Sequence, residues 1–443
     1  IPGAAVEAVK QEVLDSLATA LGGSPKAGIG ELVDMVKEWG GNGQSTIVAY
    51  GIKCAAPDAA QVNGSMIHSL DYDDGHSTAL VHVGCVAIST SFAVAERMGK
   101  TSGKDFITAI ALGEDFDSRL GLASRPGSTA LGLGWHPTTL FGHLTSASIA
   151  GKLMRLDEDK MIDALGLAYH QCGGAGSGGG VSLSKRMGPG FAAKAGVTAA
   201  LMAERGITGD RSPLEGRDGR GGIYNTYAGG DYDVNILTGD LGKRFEGVNI
   251  GYKPYPCCGF SHPFIDATFS LREKYDIKAD QIREITALGG ESGYFLCQPI
   301  EIKRAPRNHV DAQFSVPWTV STALIKGKVT LEDFTDEAIK NKDILNVAQK
   351  VTGQLDDNMT KHGVSPGRVT IVMNDGTEYS EFVEDNLGSV ENPMSFDDCA
   401  RKFRECSSCA LKPLPAETVE KVIEMVRNLE ELDDVREIIE LVS

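Results

Sequence analysis

The chain has 443 residues, 42% of them hydrophobic and 23% charged, the profile of an ordinary globular protein long enough for two domains. Its 43 Lys and Arg face 60 Asp and Glu, a net charge of −17, which disfavours nucleic acid and anionic lipid as partners. No apolar run reaches the length of a membrane span. Ile1-Pro-Gly-Ala4 leads into a helical pattern without the regions of a secretory signal. The nine cysteines, an odd count, point to reduced thiols, and so to a cytoplasmic protein.

The first element is a helix. Val6, Val9, Val13, Leu14, Leu17 and Leu21 recur at helical spacing and stop at Gly22-Gly23. Similar patterns cover 84–98, 104–121, 139–154, 157–170, 191–205 and 262–274. Many are rich in Ala, Gly and Ser, which permits close helix packing, and nothing before about residue 260 reads as a strand. After about 275 the texture changes. Gln281–Leu288 is β-branched, and Arg368–Met373, Asn374-Asp-Gly376 and Thr377–Val383 form a hairpin pattern. Leu331 to Val351 is helical in pattern, and helices return from Ser395. The expected fold is mostly α: a helical domain from both chain ends (1–267 and 396–443) with an inserted α+β domain at 268–395.

Four segments carry candidate chemistry. In the first, Asp71-Tyr-Asp-Asp74 lies between His68 and His76, with His82 beyond. It reads either as a solvated acidic turn or as an acid–base cluster, since close carboxylates and imidazoles titrate one another. A calcium loop fails on spacing. In the second, Trp135-His136-Pro137 precedes a helix that Thr138 or Thr139 can cap. His143 lies inside that helix and reads as structural.

In the third, Gly173 to Gly180 is followed by Lys185-Arg186. The order does not fit a phosphate-binding loop. It reads as a flexible linkage or as a mobile loop that delivers Lys185 to a carboxylate. In the fourth, Lys253-Pro-Tyr-Pro-Cys-Cys-Gly-Phe-Ser-His262 sets Tyr255, Cys258 and His262 beside prolines that fix the backbone. It lies where the helical texture gives way to strands, a common place for a pocket. Neither Cys257 nor Cys258 has a nucleophile's partner by spacing. Cys399, Cys406 and Cys409 share a helical face and read as core rather than as a zinc site.

Together these segments resemble the MmgE/PrpD family, which includes 2-methylcitrate dehydratases, cis-aconitate decarboxylases and iminodisuccinate epimerase. The resemblance rests on Asn63-Gly64, His68 to Asp74, Arg119-Leu-Gly121, Trp135-His-Pro137, Lys185-Arg186, Pro189-Gly190 and Gly206-Ile-Thr-Gly209. It continues through Lys253 to Cys258, His262, Ala312 to Pro317, Asn392 to Ser395 and Lys402-Phe-Arg404. It implies a homodimer without an obligatory cofactor or metal, acting on small di- or tricarboxylates.

Mapped by motif, the implied catalytic residues are Asp71, His82, His136, Lys185 and His262. Substrate contacts are expected from His76, Arg119, Arg186, Tyr255, Cys258 and Trp318. Gly75, Gly188 and Trp318 depart from the family, where Thr, His and Tyr are frequent. The expected reaction is dehydration of a 2-methylcitrate-like hydroxy acid. Epimerisation of a substituted succinate, decarboxylation of a cis-aconitate-type acid and a non-catalytic homologue are the alternatives.

Overall fold

The computed structural model describes residues 1–124, 134–176, 182–361 and 363–443. The end of the glycine run read above as a loop before Lys185, residues 177–181, lies outside the described residues. The chain divides into two units, Ile1–Tyr252 with Ser395–Ser443, and Lys253–Met394.

In the first unit, helix α1 (Gly3–Gly23) is enclosed on most sides, burying Glu12, Asp15, Ser16 and Thr19 as well as its apolar stripe. Helix α2 (Ile29–Trp39) packs on α3 (Ala56–Ile67), and α1 itself packs on α3, α4 (Gly84–Met98) and α5 (Gly103–Ala123). Then come α6 (Pro137–Leu153), α7 (Glu158–Tyr169) and α8 (Ser184–Glu204). The returning helix Phe396–Ser408 packs on α1. One pair of strands went unread: β1 (Ser45–Ile47) and β2 (Ile52–Cys54) form a small antiparallel ribbon, three residues each and too short for a periodicity.

Helix α8 also starts at Ser184, seven residues before the expected 191, and carries Pro189 within it. Lys185 therefore stands on a helix rather than in a loop. Close packing of α8 on α3 depends on Gly190, where a Cβ would lie 2.2 Å from Ser65 Oγ and 2.3 Å from the Gln61 carbonyl. Any side chain there would push the two helices apart.

The second unit is built on a four-stranded sheet in the order β4-β3-β5-β6. Its strands are β3 (Ile282–Gly289), β4 (Val351–Leu355), β5 (Gly367–Met373) and β6 (Glu378–Val383). β5 and β6 pair antiparallel around Asn374-Asp-Gly376, with Gly376 at φ +91°, the conformation that favours glycine in a tight turn. The unit begins at Lys253, ahead of the expected 268, because helix His262–Lys274 packs on β5 and β6 and puts Phe264 and Leu271 in their core. The helix expected over 331–351 is broken into short turns and the helix Lys342–Ala348, capped by the Asn341 side chain, and its end becomes β4.

Candidate active site

Helix α3 ends in a single 3-10 turn, His68–Leu70. Asp71 then takes a left-handed conformation, φ +53°, which aspartate tolerates better than most residues. That reversal returns the Asp73 carboxylate to His68, with Oδ2 2.6 Å from Nδ1 and both side chains fully buried. Because a carboxylate accepts, His68 carries its proton on Nδ1 and turns Nε2 outward. Nε2 lies 3.2 Å from Lys185 Nζ, and Nζ also donates to Asp71 Oδ1 at 3.0 Å. Four side chains thus form one line, Asp73–His68–Lys185–Asp71.

Asp74 holds the start of α4. Its Oδ2 accepts from the Val83 N–H at 2.8 Å and its Oδ1 from the Gly84 N–H at 3.1 Å. A carboxyl group nine residues upstream thus satisfies donors that the helix start leaves open. His82 just before it is fixed twice. Its backbone N–H donates to Thr138 Oγ1 at 3.0 Å, and its ring Nδ1 bonds the Asp74 carbonyl. A carbonyl only accepts, so Nδ1 bears the proton and Nε2 is the acceptor nitrogen.

His136 is the residue before α6, its N–H bonded to the Gly174 carbonyl at 2.8 Å and its ring Nδ1 2.9 Å from Thr139 Oγ1. The two threonines read as helix caps do other work: Thr138 ties His82 and Thr139 ties His136. The His68 ring centroid lies 5.0 Å from that of His82 and 5.8 Å from that of His136. Burial holds His136 well below the usual imidazole range, with His68 and Lys185 adding to the effect. Glycine at 188 leaves room for Thr139, since a Cβ there would lie 2.3 Å from Thr139 Oγ1. His143 bonds its own helix at Thr139 O, in keeping with a structural role.

Two expected substrate contacts are corrected. Arg119, 1% exposed, bonds Asp115 and the carbonyls of Ile236, Gly239 and Arg244, which commits its guanidinium to holding a loop. Trp318, 0% exposed, is enclosed by Cys257, Ile265, Val329 and Phe334 in the core of the second unit.

His76 is buried with Nε2 3.9 Å from Glu246 and Nδ1 accepting from the Ala79 N–H, so it braces the 76–81 loop. Arg186 is largely buried and feels the Asp71 charge. In the second unit, Tyr255 meets His262 edge-on at 5.2 Å and donates to Asp266 at 2.6 Å. Cys258 packs against the sheet core.

Among the described residues two donor sets come within metal-binding reach, His68–Asp73–Cys85 and Asp73–Asp74–His82, each with its atoms within 4.8 Å. His68 Nδ1, Asp73 Oδ2, His82 Nδ1, both Asp74 oxygens and Cys85 Sγ are engaged in hydrogen bonds. Burial also pushes the Cys85 thiol well up, whereas a metal needs the thiolate. The arrangement suits proton transfer better than a cation. His68 and Asp73, central here, lay in the segment read as a turn or an acid–base cluster but were not among the implied catalytic residues, since their pairing depends on the turn at Asp71.

Two family models match, the MmgE/PrpD N-terminal domain over residues 1–234 and the MmgE/PrpD C-terminal domain over residues 255–431. The chain belongs to the MmgE/PrpD family. A cis-aconitate decarboxylase of Aspergillus terreus is 29% identical over 461 residues, covering 100% of this chain and 92% of that protein. The cis-aconitate decarboxylases of Homo sapiens and Mus musculus are each 26% identical, over 97% and 96% of this chain and 88% and 86% of theirs. No helix among the described residues is long and apolar enough to cross a membrane.

Proposed function

We propose that this protein is a cofactor-independent lyase of a small tricarboxylate, and that decarboxylation of a cis-aconitate-like acid is its reaction. The observation that carries the reading is Lys185, held by Asp71 and His68 among buried imidazoles, one of which burial keeps neutral. The relatives that match end to end share the decarboxylase name, which moves decarboxylation ahead of the dehydration expected from sequence.

In this reading the Lys185 ammonium binds a substrate carboxylate and stabilises charge developing beside it. The C–C bond to one carboxylate breaks and carbon dioxide leaves. The electron pair spreads through the double bond toward a neighbouring carboxylate, and a proton from Lys185 or a histidine closes the carbon. His82 offers its acceptor Nε2 to the substrate, and His136, which burial keeps neutral, a second imidazole. His262 and Tyr255 enter the proposal through the family motif they occupy.

The test is proton NMR of the purified protein with cis-aconitate, citrate, 2-methylcitrate and substituted succinates in D2O. New vinylidene protons with release of carbon dioxide support the decarboxylase. Loss of a hydroxy acid to an alkene makes the enzyme a dehydratase, and α-deuteration without net conversion makes it an isomerase. No change in any compound overturns the reading.

A further inference from the structure

Lys185 has a second neighbour besides Asp71, and it is the more deeply buried one. His68 has a side chain with no exposure, Asp73 fixes its Nδ1–H, and its Nε2 faces Lys185 Nζ at 3.2 Å. The groups around His68 are Asp73, Cys85, His82, His136 and Lys185, with Asp71 and Arg186 beyond the lysine. A hydrogen bond between an ammonium and an imidazole leaves room for one proton on the Nζ–Nε2 axis. Which nitrogen holds it depends on what the lysine is asked to do.

We propose that His68, backed by Asp73, is the positioning residue that takes and returns the Lys185 proton. In the forward step the Nζ–H bond breaks and an Nε2–H bond forms. Lys185 becomes a neutral amine able to accept a proton, and the imidazolium is balanced by the Asp73 carboxylate. The reverse step restores the ammonium that binds carboxylate and donates. The logic is that of a nucleophile, base and orienting acid held in one line, applied to a lysine that moves protons. His68 does not touch substrate in this scheme and acts through Lys185.

The proposal rests on the reading of Lys185 as the group that moves the proton, and two arms separate the failure of each. The first compares His68→Gln with the unaltered protein, because a glutamine amide oxygen can accept from Lys185 but cannot take its proton. With a carboxylate that the enzyme turns over, kcat is expected to fall by about 100-fold with KM within about threefold. The pH limb that reports the relay is expected to vanish. Retention of kcat within about threefold would mean that His68 only orients the lysine, and it overturns the proposal.

The second arm needs no turnover. Ring nitrogen-15 NMR of labelled histidine, with His68 assigned from His68→Gln, reads its tautomer and its two nitrogen shifts in the unaltered protein and in Lys185→Met. An Nδ1–H tautomer at neutral pH, with an Nε2 resonance that moves in Lys185→Met while Nδ1 stays bonded to Asp73, supports the relay. Indifference of His68 to Lys185→Met overturns it, whether or not any carboxylate is a substrate.

Discussion

Two clusters of buried ionisable groups in the first unit meet burial in opposite ways. Along Asp73–His68–Lys185–Asp71, each anion lies against a nitrogen that can carry charge. A few residues away Glu12, Asp74 and Glu114 are also enclosed, but they face one another. Burial and mutual repulsion raise all three carboxyls well above the usual range. Glu12 Oε2 and Glu114 Oε1 have no hydrogen-bond partner among the described residues. Desolvation disfavours the charged form in both clusters, and only an opposite charge within contact distance offsets it. Burial therefore favours the protonated form of the acids without a cation, while Asp73 and Asp71 lie against His68 and Lys185, nitrogens that can carry the balancing charge.

The sharpest way to break this contrast is to remove the cation from the paired line. Lys185→Met is expected to lower kcat by roughly a thousandfold or more, about 4 kcal/mol of barrier, with the fold intact by circular dichroism. A loss of less than tenfold would show that the line is structural.

Lys402, 3% exposed, offers the same test in stability. It donates to Asp15 Oδ1 at 2.7 Å and to the Tyr72 carbonyl. Lys402→Met leaves Asp15 buried without its cation, so urea unfolding is expected to lose about 3–5 kcal/mol. An unchanged midpoint would contradict the account of pairing. Gly188→Ala is expected to cost about tenfold in kcat with little change in stability, because its Cβ would displace the Thr139 hydroxyl that holds His136. Activity unchanged by that methyl group would free His136 from Thr139.

The smallest effect belongs to the unpaired acids. A carboxyl raised by folding keeps its proton in the folded state after the unfolded chain has lost it. Its contribution is therefore complete below the ordinary carboxyl range and is lost as pH rises through the folded value. His136 works the other way: its depressed value costs stability as pH falls below about 6.5. Glu12→Gln keeps the Ser16 hydrogen bond and removes one titrating group. It is expected to reduce, by about 1 kcal/mol, the unfolding free energy lost as pH rises above the ordinary carboxyl range, read from urea melts. A decline as steep as before would mean that Glu12 is ionised.

His82, His136 and Lys185 were legible because each sits in a motif with chemistry of its own, and the long helices were legible from their apolar spacing. The pairing of His68 with Asp73 was not. A separation of five residues has no periodic meaning until Asp71 reverses the chain. Arg119 and Trp318 show the opposite error. Their types invite substrate, and nothing local reveals that one is committed to three carbonyls and an aspartate while the other is enclosed in a core. The expected helix over 331–351 failed at its end, where the β-branched residues of β4 pair with β3, a contact between segments far apart in sequence.

The bond from Lys402 to the Tyr72 carbonyl joins residues 330 apart, on a helix that follows the whole second unit. On a ribosome adding roughly 5–20 residues per second, the acidic loop emerges roughly 15–70 s before the lysine that braces it. During that interval the whole second unit is synthesised, and Asp15 has no Lys402 beside it. Completion of the acidic loop is thus a late event in the life of each new chain, coupled to the arrival of its last helices.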